Sequence, residues 1–550
     1  MFELEYENTK SNLPTLKVNN VYLHSKYNPV REAETYILKN FKPARLQILI
    51  GYGNGYIFEA LKSKISTDDK ILVIEPIDAI KNLNIDIHYT TQDELKKYFD
   101  KNITVVDRIN MIVSNNYDVV VPQQVMEILE VLNEKIKSNQ IIENTLKRFS
   151  LSWDENYVKS LKYGRVDYSI EKLINKYNQP VVVASSGPSL MKQLPLLKEF
   201  KDKIIIIASG STINSLLAHD IEPDYVVSID GVKENFNHYK NIKENNITLI
   251  YCPLNYFAIR EKFQKAYYFI QYAEHQIIDH YSKYTGDNIG ILQGGGSVAN
   301  AALNLAFFMT DAPVALIGQD LAYTGGYSHS THNLNNKKLD EESMNKEIIK
   351  REGYYGDEVL TNFAFLQMKD SFNSIIQNYQ VKDRVYNCTE GGLKIEEINQ
   401  LSFYEFLKKY TNTQIEREEE RCQIKYSMDK LSSLLNEDIL NIKELIALLE
   451  QSIKTLYKDK SSKRYSEKVL KKLVKMDNKT EVLIKKLGLE RAFSFINLNA
   501  VKYYAVDEKE NEEVQFQKSF KQSSYLYEEM LEATKRTLFY YEEEVKELSK

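Results

Sequence analysis

Cysteine is scarce in this chain, and its scarcity argues against a disulfide framework. Three cysteines occur among 550 residues, Cys252, Cys388 and Cys422, and no two of them form a CxxC pair. Their number is odd, and their spacing is not that of zinc ligands. We therefore expect a protein of a reducing compartment, and we predict neither a metal site nor a cofactor.

Two further absences narrow the class of protein. No apolar run approaches the roughly 18 to 20 residues of a membrane-spanning helix. The opening segment, MFELEYENTKSNLP, lacks the basic and apolar stretches of a secretion signal. The net charge is −5, with lysines and acids interspersed, so nucleic acid is not an expected partner. The sequence predicts a soluble, cytoplasmic protein that binds no membrane.

The character of the sequence changes along its length, and a chain of this size is too long for one core. Residues 1–140 predict a Rossmann-like amino-terminal domain, and residues 141–176 predict a helical connector. Residues 177–400 repeat strand–turn–helix units and predict a mostly parallel α/β domain. Residues 401–550 are charged, with apolar residues at helical intervals, and predict a carboxyl-terminal helical bundle. The fold class is α/β.

The amino-terminal glycine turn, GYGNGY, follows one predicted strand, and Glu75 ends the next. In dinucleotide or S-adenosylmethionine sites, such glycines admit the ligand and such an acid holds a ribose. The spacing here is GxGxG rather than GxGxxG, because position 56 is tyrosine. Glycines also serve simply to turn a strand into a helix. We favour a domain without its own chemistry and keep a bound cofactor as the alternative.

The central region carries the best indication of function. Its candidate strands are Val181–Ala184, Ile204–Ala208, Tyr225–Ile229, Thr248–Tyr251 and Val314–Ile317. Short, densely apolar runs are typical of parallel strands that are covered on both faces. Parallel sheets bind ligands at the carboxyl ends of their strands. Polar or glycine residues stand at these ends, among them Ser186, Gly187, Ser209, Gly210, Asp230 and Asp320.

Three glycine–serine turns, SSGPSL, ASGSTIN and GGGSVAN, each precede a predicted helix. A glycine lets a phosphate approach the backbone, and a helix N-terminus attracts its charge. An ordinary capped helix start is the alternative interpretation. Because three consecutive glycines exceed what a tight turn requires, we predict a site for a nucleotide-activated substrate. The predicted binding residues are Ser186, Gly187, Pro188, Ser189, Ser209, Gly210, Gly295, Gly296 and Ser297.

The loop YTGGYSHSTHN contains His329 and His332. Polar, glycine-rich loops often carry active-site residues, and a histidine titrates near neutral pH, where it can act as a general base. Two histidines at this spacing could equally bind a metal or lie in solvent. Because no third ligand is nearby in sequence, we rank His329 as the base and treat His332 as a surface residue. Asp230 and Asp320 complete the predicted catalytic set.

Several segments together resemble the motility accessory factor (Maf) flagellin glycosyltransferases. They are VVVASSGPSL, YVVSID, GGGSVANAALNLAFF, VALIGQDLAYTGGYSHS and RVYNCTEGGLKI, in this order, and the resemblance covers nearly the whole chain. The central region also resembles bacterial sialyltransferases and archaeal 6-hydroxymethylpterin pyrophosphokinases. The resemblance implies that a nonulosonic acid, such as pseudaminic or legionaminic acid, passes with inversion from a CMP-activated donor to flagellin Ser or Thr hydroxyls.

The resemblance also implies roles by position. Residues 187–189 would contact the cytidine monophosphate, and residues 295–297 would complete the nucleotide pocket. Asp320 stands where the sialyltransferases carry an acid, and His329 takes the position of the base. Asp230 would bind the sugar or assist the acceptor.

Two other functions stay open at this point. A pterin pyrophosphokinase would need Mg-ATP, and Asp230 and Asp320 are available as metal ligands. Such an enzyme has no evident use for an extra amino-terminal domain and a long helical tail. A non-catalytic accessory protein would bind flagellin and ignore nucleotides. The sequence leaves the oligomeric state open, a homo-oligomer included.

Overall fold

The computed structural model describes residues 2–66, 69–243, 246–340, 348–415, 424–504 and 511–549; Cys422 lies outside them. The chain forms two compact units, each built from separate segments. The first unit comprises Met1–Arg148, Ala447–Thr480 and Phe493–Ala533. The second comprises Phe149–Ile446, Glu481–Ala492 and Thr534–Lys550. None of the described helices is both long enough and apolar enough to span a bilayer. The four predicted domain boundaries stay a prediction.

The first unit contains two sheets. An antiparallel sheet joins β1 (Leu4–Asn8), β2 (Pro14–Val18) and β3 (Val21–Tyr22). A parallel sheet joins β4 (Leu46–Ile50), β5 (Lys70–Glu75), β6 (Ile87–His88) and β7 (Ile109–Val113). Its order, β6-β5-β4-β7, places the first strand inside the sheet, as in a Rossmann half. The predicted Rossmann-like fold is therefore confirmed.

Two of the helices in this region begin at a residue whose side chain caps them. Asn28 accepts a hydrogen bond from the Arg31 N–H, and Pro29 takes the first helical position. Thr91 caps its helix in the same way. The helices of the amino-terminal region are Pro29–Asn40, Tyr56–Lys62, Gln92–Asn102, Tyr117–Val120 and Pro122–Ser160.

The second unit is built on a nine-stranded sheet in which every pairing is parallel. Its order is β20-β19-β16-β9-β10-β11-β12-β13-β8. The strands are β8 (Tyr168–Ser169), β9 (Val181–Ala184), β10 (Ile205–Ser209), β11 (Tyr225–Ser228), β12 (Thr248–Tyr251), β13 (Lys265–Tyr268), β16 (Val314–Ile317), β19 (Val385–Asn387) and β20 (Asn399–Gln400). The five predicted strands are all present and fully buried, which confirms the mostly parallel α/β architecture.

The strand order defines where this sheet can bind a ligand. From β9 the chain adds β10 to β13 on one side, and then returns to place β16 on the other side of β9. The loops after β9 and β16 therefore leave the sheet in opposite directions and open a crevice between them. Open parallel sheets bind their ligands at such a switch point.

Smaller sheets and helices surround the central sheet. Two short strands, β14 (Ile270–Gln271) and β15 (Ile291–Leu292), pair in parallel, and β17 (Ile349–Glu352) pairs antiparallel with β18 (Glu358–Thr361). The helices of the central region are Leu190–Glu199, Thr212–Leu217, Ile278–Thr285, Val298–Met309, Phe363–Tyr379 and Phe403–Tyr410. The predicted carboxyl-terminal helical region is confirmed, with helices Met428–Leu456, Glu467–Lys486, Ser494–Tyr503 and Glu512–Leu548.

In the second unit, a buried polar network holds the part of the Met428–Leu456 helix that belongs to this unit. The carboxylate of Asp438 is fully buried and contacts His280 Nε2 and Lys283 Nζ at 2.8 Å each. The Tyr284 hydroxyl donates to the same carboxylate. The other ring nitrogen of His280 lies 2.7 Å from the Tyr157 hydroxyl. This network fixes the position of the helix around a carboxylate that has no access to water.

Removing the centre of this network is expected to destabilise the protein strongly. Asp438→Ala leaves the buried His280 and Tyr284 side chains without their acceptor and removes one of the two carboxylates that pair with Lys283, which should cost about 3 to 5 kcal/mol of unfolding free energy in urea denaturation. The matched control is Glu437→Ala, because Glu437 is half exposed and pairs with Lys283 at the surface at 3.2 Å. A surface pair contributes about 1 kcal/mol at most. Equal losses in the two variants would contradict the assignment.

Candidate functional site

A cavity of about 250 Å³ lies at the carboxyl ends of β9, β10, β11 and β16, at the switch point of the sheet. The turns that follow these strands form most of its wall, and Phe365 and Met368 add an apolar side. The predicted residues that line it are Ser186, Gly187, Ser209, Gly210, Asp230, Ser297, Asp320 and His329. The other predicted residues, Pro188, Ser189, Gly295 and Gly296, are not part of this lining.

Two helices begin at the cavity. The Val298–Met309 helix starts at Ser297, whose hydroxyl accepts the Ala299 N–H at 3.1 Å, and its first turn carries no acidic residue. The short Thr212–Leu217 helix follows Gly210 and Ser211, which line the same cavity. The free N–H groups and the dipole of a helix N-terminus favour an anion. The geometry is therefore suited to a phosphate.

Hydroxyl groups dominate the polar part of the lining. Serines contribute from the turns after β9, β10 and β11, and from the helix start at Ser297. Among the lining residues that the structure describes there is no lysine or arginine. A phosphate in this cavity would be bound by hydroxyl and backbone donors rather than by ion pairs. Such a site suits a nucleotide of low charge better than a triphosphate.

Asp320 is buried, and hydrogen-bond donors already occupy its carboxylate. It accepts the Ser189 N–H at 3.1 Å and the Ser189 and Thr324 hydroxyls at 2.6 Å each. Burial raises the pKa of Asp320, and these donors act in the opposite direction. A carboxylate with this many donors holds its turn in place. The geometry favours a positioning role for Asp320 over proton transfer, and its predicted catalytic role stays a prediction.

The structure gives a reason for Gly187 that differs from the one the sequence suggested. A Cβ atom at Gly187 would clash with Oδ1 of Asp320 and lie 2.5 Å from the Gly318 carbonyl oxygen. Glycine is therefore needed to let the Asp320 carboxylate approach the backbone, whether or not a ligand is bound. The Ser189 hydroxyl donates to Asp320 and does not cap the Leu190–Glu199 helix, and its predicted contact with the nucleotide stays a prediction.

Two glycines that sequence reasoning did not single out complete this cluster. A Cβ at Gly391 would overlap the Ser189 hydroxyl, and one at Gly392 would overlap the Asp320 backbone carbonyl. Gly392 also has a φ of +73°, in the left-handed region. The sequence did contain an indication of them, the pair of glycines in TEGGLKI. This segment is part of the family resemblance, but the resemblance gave the two glycines no role. Their packing partners lie about 70 residues or more earlier in the chain and could not be identified from the sequence.

His329 lies in the cavity wall with its imidazole half-buried. Its Nδ1 is 3.0 Å from the Ser328 hydroxyl. Burial lowers the pKa of His329, and the nearby His238 lowers it further. The ring is therefore neutral at physiological pH, the form that a general base requires. His332 points elsewhere: it is exposed, and its ring lies 5.3 Å from that of His219.

His238 is a cavity residue that sequence reasoning missed. It is buried, and its Nδ1 and Nε2 lie 3.1 and 3.4 Å from the side-chain amides of Asn214 and Asn335. Burial lowers the pKa of His238. It ends a short 3-10 helix after β11, where no glycine turn or strand end marks it. A second neutral histidine thus faces the same space as His329.

Asp230 lies at the opening of the cavity. Its side chain is accessible from the cavity, although many protein atoms surround it, and this partial loss of solvent raises its pKa. Its backbone carbonyl accepts the Tyr256 N–H at 3.1 Å. Asp230 and Asp320 are the two carboxylates of the lining. Within the described ranges, no three His, Cys, Asp or Glu side chains converge as metal ligands.

The amino-terminal glycine turn is filled by the protein's own side chains. The Tyr52 N–H and the Tyr117 hydroxyl donate to Glu75 Oε2 at 2.8 Å each. Cβ atoms at Gly51 and Gly55 would come within 2.5 and 2.7 Å of Tyr117 and Tyr52, respectively. The acid and the space that a nucleotide would use are therefore taken. This arrangement supports the interpretation of a domain without its own cofactor.

His24 completes the filling of the same turn. A Cβ at Gly53 would overlap His24 Nε2, and that nitrogen accepts the Asn54 N–H at 2.9 Å. Burial lowers the pKa of His24 to about 4, so the ring is neutral at physiological pH and free to accept this hydrogen bond. The backbone of the turn is thus hydrogen-bonded to a histidine that lies 30 residues earlier in the chain.

Titration of the full chain with NAD or S-adenosylmethionine is therefore expected to show no saturable heat of binding in calorimetry. Either ligand would have to displace Tyr117 and His24, and its ribose would have to compete with backbone donors for Glu75. CMP in the same cell serves as the positive comparison. Saturable binding of either cofactor would show that this domain opens and that the alternative interpretation is correct.

Comparisons with known proteins agree with this architecture. No curated protein sequence matches the chain significantly. The family model of 6-hydroxymethylpterin diphosphokinase MptE-like proteins matches residues 155–326, which include most of the cavity turns but not His329. Among solved structures, a MAf glycosyltransferase from Magnetospirillum magneticum AMB-1 is similar, with a TM-score of 0.55 and 15% identity. The similarity covers 98% of this chain and 92% of that one.

These findings define the class of protein. The chain is an α/β protein, and residues 155–326, which contribute most strands of its central parallel sheet, match the MptE-like family model. Over nearly its whole length it has the fold of a Maf glycosyltransferase. Both relatives were implied by the sequence resemblance, which is thereby confirmed at the level of fold.

Proposed function

We propose that this protein is a glycosyltransferase that moves a nonulosonic acid from a CMP-activated donor to Ser or Thr hydroxyls of flagellin. The observation that carries the proposal is the cavity at the switch point. It combines two helix N-termini, a hydroxyl-rich wall without lysine or arginine, and a neutral histidine. The Maf-type fold supports the same function.

The cavity meets the first need of this reaction, which is to stabilise the departing CMP. When the bond between the anomeric carbon and the phosphate oxygen breaks, the electron pair leaves with CMP and positive charge develops on the sugar. The dipole at the start of the Val298–Met309 helix and the serine hydroxyls of the lining favour the phosphate oxygens. A monophosphate leaving group carries little enough charge for such donors, so we propose transfer without a metal ion.

His329 meets the second need, which is to activate the acceptor. Its neutral ring takes the proton of the Ser or Thr hydroxyl while the hydroxyl oxygen attacks the anomeric carbon. Attack opposite the departing CMP inverts the configuration at that carbon. Asp230, accessible at the opening of the cavity, binds the sugar or the acceptor. Asp320 holds Ser189 and the turn after β9 in position.

The experiment is transfer to intact flagellin. The purified protein is incubated with flagellin and CMP-nonulosonates, with and without EDTA, and the flagellin mass is measured. We expect an increment of one or more sugar residues that persists in EDTA. Binding of flagellin with no mass increment for any CMP-nonulosonate would favour the accessory protein instead.

The match to the MptE-like family model makes pyrophosphoryl transfer from Mg-ATP to a pterin the second candidate function. That reaction requires carboxylates to hold Mg²⁺, and Asp320 already accepts hydrogen bonds from Ser189 and Thr324. Release of AMP from ATP in the presence of 6-hydroxymethylpterin, abolished by EDTA, would establish this function.

A further inference from the structure

The loop that carries His329 is bound to the carboxyl edge of the central sheet. The Ser330 N–H donates to the Ser186 carbonyl at 2.7 Å, and its hydroxyl lies 2.8 Å from that of Ser215. Asn333, three residues further on, is 4% exposed, and its side chain reaches back to two of the turns that line the cavity.

The Asn333 amide makes three short hydrogen bonds. Its nitrogen donates to the Ser186 hydroxyl at 2.6 Å and to the Ser211 hydroxyl at 2.8 Å. Its oxygen accepts the Asn335 backbone N–H at 2.7 Å. Because a backbone N–H can only donate, the amide oxygen must face Asn335. The amide orientation is therefore set, and both serines receive a proton from nitrogen.

This arrangement limits the directions in which the Ser186 and Ser211 hydroxyls can donate a hydrogen bond. A serine hydroxyl carries one proton and can donate it in only one direction. Here each hydroxyl already accepts from Asn333, so its own proton points away from the amide. Both side chains line the cavity. In the described part of the chain neither hydroxyl has a hydrogen bond to a protein acceptor, so both protons are available to an acceptor in the cavity.

We propose that Asn333 is a positioning residue that orients the Ser186 and Ser211 hydroxyls as paired donors for the phosphate of the nucleotide donor. The nature of that ligand rests on the proposed function. A phosphate oxygen can only accept, so hydroxyls with a free choice of direction would have to be reoriented when it binds. Asn333 removes that cost before the ligand arrives.

Asn333→Asp is the sharpest test, because it keeps the size and shape of the side chain, turns the donating group into an acceptor and adds one negative charge, for which a separate control is needed. One carboxylate oxygen still accepts the Asn335 N–H, so the loop keeps its conformation. The other oxygen now accepts from both serines and draws their protons away from the cavity. We expect CMP to bind about 100-fold more weakly in calorimetry, while the affinity for cytidine, which lacks the phosphate, stays within about twofold.

Two further variants separate orientation from charge and from folding. Asn235→Asp adds the same charge to the cavity wall, where Asn235 contacts Ser228 and neither of the two serines, and should weaken CMP binding by less than about tenfold. The double variant Ser186→Ala/Ser211→Ala removes the groups that Asn333 orients. The double variant should lose about as much CMP affinity as Asn333→Asp does. Adding Asn333→Asp to the double variant should lower the CMP affinity by less than about a further threefold.

The outcomes distinguish this inference from the proposed function. Equal weakening of CMP and cytidine, or no weakening of either, overturns the role of Asn333. If the unaltered protein binds neither CMP nor cytidine, the proposal of a CMP-activated donor is wrong. Inorganic phosphate then becomes the probe. Weaker phosphate binding in Asn333→Asp would then still support the orientation of the two serines. Equal phosphate binding, or none in the unaltered protein, overturns it.

Discussion

Replacing His329 by glutamine is expected to lower the rate of sugar transfer by about 100- to 10,000-fold, the usual contribution of a general base. Glutamine is similar in size and can keep a hydrogen bond to Ser328, but it cannot take a proton from the acceptor. CMP affinity should change by less than about threefold, because we propose that the turns and the helix start, rather than His329, bind the phosphate. The rate is measured by flagellin mass and the affinity by calorimetry.

The pH dependence of the same reaction provides an independent check. Burial and the nearby His238 lower the pKa of His329 below its ordinary value of 6.5. The base is active when unprotonated, so kcat/KM should be constant above that value and fall only at lower pH. The acidic limb should disappear in His329→Gln. An unchanged limb and rate in that variant would contradict the assignment, and His238→Gln would then be the next variant to measure.

Gly187→Ala is expected to destabilise the protein by about 3 kcal/mol and to abolish CMP binding. The added methyl group would clash with Asp320 Oδ1 and lie 2.5 Å from the Gly318 carbonyl oxygen. Neither atom can yield easily, because Asp320 is held by Ser189 and Thr324, and Gly318 is backbone at the end of β16. Overpacking of rigid atoms typically costs about 1 to 3 kcal/mol, occasionally more. Urea denaturation and CMP calorimetry measure the two effects.

Gly296→Ala is the matched control for this prediction. The nearest atom to its added methyl group is Cγ of Met368 at 3.5 Å, an ordinary contact with a flexible side chain. We expect a change in unfolding free energy below about 1 kcal/mol. If both variants lose the same stability, the cluster around Asp320 does not explain why residue 187 is glycine.

The sequence by itself determined the elements and the edge of the sheet where a ligand would bind. Dense apolar runs such as Val181–Ala184 and Val314–Ile317 form buried parallel strands, because their side chains must be covered on both faces. Glycine and serine after a strand mark the turn into a helix, because both residues suit the local backbone. These are local preferences, so they can be predicted from neighbouring residues alone.

Only the tertiary structure decided what fills the space beside each glycine. GYGNGY and SSGPSL have similar patterns, but Tyr117 and His24 occupy the first turn, whereas the second borders a cavity. The partners of Gly187 and Ser189 lie 131 residues or more along the chain, in the turn after β16. Their contact depends on β16 pairing with β9 in the sheet.

The same reason explains why His238 and Asn333 were not predicted. His238 lies in no motif, and Asn333 ends the YTGGYSHSTHN loop, where only the histidines were given a role; each acquires its role from groups that the fold brings to it. Local sequence sets backbone conformation and burial, whereas the direction of a hydroxyl proton or the pKa of a histidine depends on which distant side chains surround it. The sequence therefore indicated which edge of the sheet could bind a phosphate, and the tertiary structure decided that SSGPSL borders a cavity there, whereas GYGNGY is filled by the protein's own side chains.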